Sequence, residues 1–270
     1  MRILEFQTDP AFEFRYLNAG RGPGQFYEDR LTVHRARVDR LPEGVSALIA
    51  TADLQGRERF QDSPGGPLRL LGEVLPERLA TEVLPALRIG EPNDAAALLA
   101  GDFYTVPALD KRGGTGDVTS VWRAFADSFR WVAGIPGNHD TFGDRPARRP
   151  RLPARMYFLD GDGAEIGGIR IAGIGGIIGN AARPNRRSEE DYLATLRQLL
   201  QPCPDVLLMH EGPDGIRPQQ RGLSQVREIL EASGMPLVIR GHAHWDQPFA
   251  EFPSGLLVLN VDARVVVLTV

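Results

Sequence analysis

The sequence predicts an α/β protein built as a two-sheet β-sandwich flanked by helices. Three observations carry this. Short continuous apolar runs alternate with longer stretches of helical periodicity, the pattern of strands buried on both faces. Two further segments, Met156–Ile174 and Gly255–Val270, read as additional strands and hairpins, which favours a sandwich over one open sheet. Glycine (30) and proline (21) punctuate the chain throughout, so each element is short and sharply ended.

In chain order, residues 1–44 read as an N-terminal extension that forms strands and packs on the main domain. Within it, Leu31–Val38 alternates apolar and polar side chains, as a strand with one wet face does. From Val45 the rhythm changes, and 45–270 reads as the main domain. Val45–Ala50, Ala95–Ala100, Arg130–Ala133, Asp205–Met209 and Pro236–Ile239 are the buried strands. Helices are expected near Glu73–Arg88, Asp117–Phe129, Ser188–Leu200 and Leu223–Ala232. Ser188 followed by Glu189, Glu190 and Asp191 is a helix start: a hydroxyl cap, then carboxylates at the positive end of the helix dipole.

Composition excludes several classes. The charged fraction of 24% and apolar fraction of 42% are those of a folded globular chain, and no apolar stretch is long enough to span a membrane. The start is too short and too soon charged for a signal peptide, and a single cysteine, Cys203, permits no internal disulfide; both fit a reducing cytoplasm. A net charge of −4 argues against a protein whose main task is coating nucleic acid. Of the 31 basic residues only Lys111 is a lysine, which reads first as coding bias.

The informative residues stand where the apolar runs stop. Thr51-Ala-Asp-Leu-Gln-Gly56, Gly101-Asp102, Gly137-Asn-His-Asp140, His210-Glu-Gly-Pro213 and Gly241-His-Ala-His244 follow the five runs in turn. The carboxyl edge of α/β strands is where ligands bind. Four of the five histidines lie in these segments, and the fifth, His34, sits in the alternating strand. Two divalent ions roughly 3.5–4 Å apart need a shared carboxylate and enough nitrogen and oxygen donors for both shells. Asp102 can bridge, Asp53 can add a second carboxylate, Asn138 an amide oxygen, and His210, His242 and His244 imidazole nitrogens. A donor set of nitrogen and oxygen without thiolate suits manganese, iron or zinc. His242 and His244 would point to opposite faces of a regular strand, so both serve one site only if the Gly241 turn breaks the regularity.

In this order the motifs resemble the calcineurin-like metallophosphoesterase superfamily, whose pattern is Asp-x-His, Gly-Asp, Gly-Asn-His-Asp/Glu, His, Gly-His-x-His. The match runs from Asp53 to His244. The resemblance implies a two-metal hydrolase in which a metal-bridging hydroxide attacks a phosphate ester. It places Asp53, Asp102 and His244 on one ion, and Asp102, Asn138, His210 and His242 on the other. It makes His139 a general acid or charge stabiliser beside the phosphate, oriented by Asp140. One position departs: Gln55 stands where the family has histidine, and an amide oxygen is a weaker donor to a borderline metal.

Beyond the metals, Trp245 and the arginines after Gly-Asn-His-Asp, Arg148 and Arg149 above all, are candidate substrate contacts, guanidinium being suited to phosphate. They incline the reading towards a phosphodiester or nucleotide substrate. The rivals are a binding or scaffold module that kept the fold without turnover, and a nuclease, which the acidic charge disfavours. Gly173–Gly179 misses the spacing of a dinucleotide-binding turn and reads as a tight turn near the cleft; Lys111–Gly116 lacks the order of a P-loop and reads as a mobile loop.

Overall fold

The computed structural model describes residues 1–270 except 21, 23, 24, 60–67, 112, 144–149 and 151. Two large sheets face each other. The first has nine strands, with Ala47–Ala52, Ala95–Leu99, Val132–Gly134 and Met156–Phe158 running parallel along one half. The last strand of the chain, Arg264–Thr269, lies antiparallel against Ala47–Ala52. The other half comes from the N-terminal residues: Tyr27–Val38 pairs in parallel with Arg264–Thr269, and both Ile3–Phe6 and Phe12–Asn18 pair antiparallel to it. The second sheet has six strands. In it Ile169–Ile174, Val206–Met209, Leu237–Arg240 and Leu257–Asn260 are parallel, and Asp162–Ile166 and Phe249–Glu251 are its antiparallel edges.

Side-chain alternation explains why the apolar runs are continuous. In Ala47–Ala52, Leu48 and Ala50 point between the sheets, where they join Leu208, Ile239 and Leu259 of the second sheet. Ile49 points the other way, to a core with Val74, Val121, Trp122 and Phe125 of the helical segments Leu71–Arg78 and Thr119–Ser128. Leu207 and Val238 of the second sheet likewise meet Tyr192 and Leu196 of the helix Glu189–Leu200, and Val226 and Leu230 of Ser224–Ser233. The result is a helix–sheet–sheet–helix stack, and strands covered on both faces must be apolar at every position.

Local chemistry sets the boundaries. Ser188 caps its helix, its Oγ accepting from Asp191 N at 3.1 Å. The helix expected over Glu73–Arg88 is interrupted. It runs as Leu71–Arg78, passes through a wide turn at Leu79–Val83 in which Leu84 N–H reaches back to Leu79 O, and ends with Leu84–Ala86. Pro76 and Pro85 lack the N–H that a regular ladder requires, and the wide turn falls between them. No helix among the described residues is long and apolar enough to cross a membrane.

A candidate metal centre at the carboxyl edge of both sheets

The loops after Ala47–Ala52, Ala95–Leu99, Val132–Gly134, Val206–Met209 and Leu237–Arg240 meet at one end of the sandwich. Ligand atoms of Asp102, His210 and His242 come within 4.8 Å of one another. His210 is fully buried; its Nδ1–H donates to Ala100 O at 2.8 Å, which leaves Nε2 facing Asn138 Oδ1 at 3.2 Å and Asp102 Oδ2 at 3.3 Å. The His210 and His242 rings lie 5.0 Å apart. Asp53 sits beside them, its Oδ2 accepting from His242 N at 2.8 Å. These are the residues assigned by resemblance to the second ion, together with Asp53 from the first.

The remaining first-ion candidates make other contacts. Gln55 Nε2 donates to Asp102 Oδ2 at 3.3 Å. His244 Nδ1 lies 3.0 Å from Asp262 Oδ1, and Arg264 Nη2 is 3.3 Å from its Nε2. An Asp262–His244 pair fixes the tautomer, an arrangement common behind ligating histidines, and Nε2 accepts from the Arg264 guanidinium.

Backbone strain is concentrated here. Asp53 (φ 55°), Asp102 (φ 61°) and His242 (φ 69°) all adopt left-handed conformations, which non-glycine residues take rarely and mainly at functional sites. The break in strand regularity needed for His242 and His244 therefore lies at His242 itself. Gly241 contributes something else: a Cβ there would stand 2.4 Å from Asp53 Oδ2. Gly137 is required in the same way, since its Cβ would fall 2.0 Å from Asp102 Oδ1.

Asp140 binds the loops together. Its carboxylate accepts from Asp102 N, Phe103 N and Gly137 N, each at 2.8 Å. Contact with the His139 ring comes instead from Gly114, whose carbonyl takes the Nδ1 proton at 2.9 Å; Gly113 packs under the same ring. His139 N donates to Asp102 Oδ1 at 2.8 Å, tying the histidine backbone to the Asp102 carboxylate.

The electrostatics fit a cation. Burial, then the charge of Asp262, pushes the Asp53 carboxyl well above its ordinary range. Burial also works against the charge on Asp102, but His210 outweighs it and holds that carboxyl low. Burial would lower His210, yet the Asp102 carboxylate raises it to about 10. Burial and the neighbouring His210 charge bring His242 down to about 4, so at neutral pH it is the free base, the form able to ligate a metal. Asp140 is raised to about 6 by burial and then by Asp102. Carboxyl groups, imidazoles and an amide oxygen crowded away from water make a donor set suited to a divalent metal ion.

Of the candidate substrate contacts, Trp245 is fully buried in the core beside the second sheet. Its indole N–H donates to Arg221 O at 2.8 Å, so no ring face is open to stacking. Arg148 and Arg149 lie outside the described residues. The Gly173–Gly179 turn lies beside the site, with Gly176 N donating to Pro136 O at 2.9 Å.

Two contributors escape sequence reasoning. Asp262 was foreshadowed by one signal, since Leu256–Leu259 is another apolar run that ends in polar residues, Asn260 and Asp262. Asn185 carried none. Its side-chain amide donates to Gly137 O at 2.8 Å and Asp140 O at 2.6 Å, the carbonyls that bracket Asn138 and His139.

Residues 48–246 match the family model described as calcineurin-like phosphoesterase. Among solved structures, TT1561 of Thermus thermophilus aligns over 80% of this chain and 88% of its own, with a TM-score of 0.53 and 15% identity, a likeness of fold. No curated protein matches the chain.

Proposed function

The chain belongs to the calcineurin-like phosphoesterase family, and on that premise we propose that it is a two-metal hydrolase of phosphodiesters or nucleotides. The observation that carries the reading is the convergence of Asp102, His210 and His242 within 4.8 Å, with Asn138 and Asp53 in contact, at the carboxyl edge of the strands. Bound there, two divalent ions would supply positive charge for the phosphoryl oxygens and acidify a water for attack on phosphorus. Asp102 is the candidate shared ligand, Asn138, His210 and His242 complete one shell, and Asp53 and His244 belong to the other.

The chain's own groups do the rest. With its Nδ1 proton engaged by Gly114 O, His139 exchanges its second proton at Nε2, the atom available to a leaving oxygen. Asp140 and Asn185 hold the loop that presents it. The preference for an ester with a sizeable organic part follows from the cleft, which measures about 1200 Å³ and includes Asp53, Gln55, His242 and His244 in its lining. A lone phosphate would leave most of that space unfilled.

Gln55 supports a second reading, a binding module without turnover, because its amide bonds Asp102. One experiment separates the two: hydrolysis of 4-nitrophenyl phosphate and bis(4-nitrophenyl) phosphate with Mn²⁺, Ni²⁺ or Mg²⁺. Metal-dependent cleavage with preference for the diester is expected. Cleavage of neither by metal-loaded protein would leave the binding module.

A further inference from the structure

The cleft does not end at the metal ligands. Its far wall is built by the N-terminal strands, which the family match over residues 48–246 does not include. Asn18 sits opposite Gly56 in the sheet, one residue from Gln55. Tyr16 fills the place a side chain on Gly56 would need, since a Cβ there would stand 2.3 Å from its ring. Tyr16 is almost wholly buried, yet its hydroxyl donates to Asp29 Oδ2 at 3.1 Å. Asn18 Nδ2 donates to the same oxygen at 3.1 Å, and Asp29 Oδ1 accepts from Arg30 N at 2.9 Å. Three groups on two strands thus hold one half-buried carboxylate rigidly at the rim of the metal loop.

We propose that Tyr16, Asn18 and Asp29 form a subsite for a neutral hydroxyl-bearing group, of ribose or sugar type, in the organic part of the phosphate ester. This rests on the phosphoesterase reading above and names its substrate class. The charge of the lining decides the chemistry. Apart from the metal ligand Asp53, the cleft carries Asp29, Asp246 and Asp262 against Arg30, Arg217 and Arg264. Such a balanced wall favours neither a cation nor a second anion, and Asp29 repels the latter. A hydroxyl donates to a carboxylate and accepts from a guanidinium, so a polyol satisfies both kinds of lining group. With Tyr16 and Asn18 already spending their protons on it, Asp29 offers its remaining lone pairs to a ligand donor. Held carboxylates are strong acceptors, and the bond is lost if the ligand lacks the hydroxyl.

The test compares a ribonucleoside 5′-(4-nitrophenyl) phosphate with its 2′-deoxy counterpart, and bis(4-nitrophenyl) phosphate as the plain diester, on Mn²⁺-loaded protein. The ribo ester is expected to be favoured in kcat/KM by about 10- to 100-fold. Asp29→Asn, which keeps shape and removes charge, is expected to bring that ratio to within about threefold of unity. Equal rates on the two esters in the unmodified protein would overturn the proposal. If none of the three esters is cleaved, the phosphoesterase reading fails separately. The subsite is then decided by calorimetry with the ribo- and deoxyribonucleoside 5′-monophosphates on unmodified protein, where equal affinities would overturn it. A misfolded Asp29→Asn does not rescue or sink the proposal, because the unmodified protein's ribo-to-deoxy ratio is read independently.

Discussion

His139 and Asn185 show how much of this site depends on single side chains, and each gives a prediction. His139→Ala should leave metal content unchanged and slow turnover by roughly 10²–10⁴, the usual effect of a positioned acid. The loss should shrink for esters with good leaving groups. An equal loss across leaving groups would assign His139 to metal positioning. Asn185 acts through others: it donates to the carbonyls on either side of Asn138 and His139 from a left-handed backbone position (φ 51°). Asn185→Ala and the near-isosteric Asn185→Asp both remove the donor, so both should lower kcat by about tenfold or more with KM little changed. Rescue by aspartate, or a lowered melting temperature with unchanged kcat, would make Asn185 merely structural. The two residues also differ in legibility. His139 lies within a contiguous motif whose chemistry is local, whereas Asn185 meets its partners 45 and 48 positions away, a pairing created only when the turn after Ile169–Ile174 folds over the motif loop. Asp262 is intermediate. The end of an apolar run marks it, but its contact with His244 depends on Leu257–Asn260 lying parallel to Leu237–Arg240, which brings the two following loops together.

Among the elements, the buried strands were the most legible, because burial on both faces writes an unbroken apolar run into the chain. Helix starts were legible where a side chain does the capping. Ser188→Ala removes the hydroxyl that accepts from Asp191 N, and should cost about 1 kcal/mol, read as a fall in melting temperature of about 2–4 °C. An unchanged melting temperature would show that the cap is replaced by water at no cost. The helix expected over Glu73–Arg88 was less legible. Periodicity persists through Leu79–Val83, but the missing N–H groups of two prolines impose a wide turn that a pattern of apolar residues does not record. Loop conformation was read only in part: the spacing of His242 and His244 demands an irregularity, yet glycine composition pointed to Gly241 when the left-handed residue is His242.

For the molecule as a whole, the feature hardest to read was the place of residues 1–44, since the parallel partner of Tyr27–Val38 is the last strand, Arg264–Thr269. Sequence alternation marks a strand and says nothing of a partner more than 200 residues away. Deletion of residues 1–44 would leave Arg264–Thr269 with an open, almost wholly apolar edge and remove the Tyr16–Asn18–Asp29 wall. Such a chain is expected to aggregate on expression, and recovery of a soluble, fully active 45–270 fragment would refute that dependence. We hold that the converged carboxylates, amide and imidazoles form a two-metal hydrolytic centre. Its most direct test measures metal content and bis(4-nitrophenyl) phosphate hydrolysis on the same samples, for unmodified protein and Asn138→Ala, before and after chelation and return of Mn²⁺. The prediction is that activity disappears with the metal, returns as two ions per chain are restored, and does not return in Asn138→Ala, which regains fewer. Hydrolysis that survives complete removal of metal, or full activity in Asn138→Ala with one ion per chain, would contradict it.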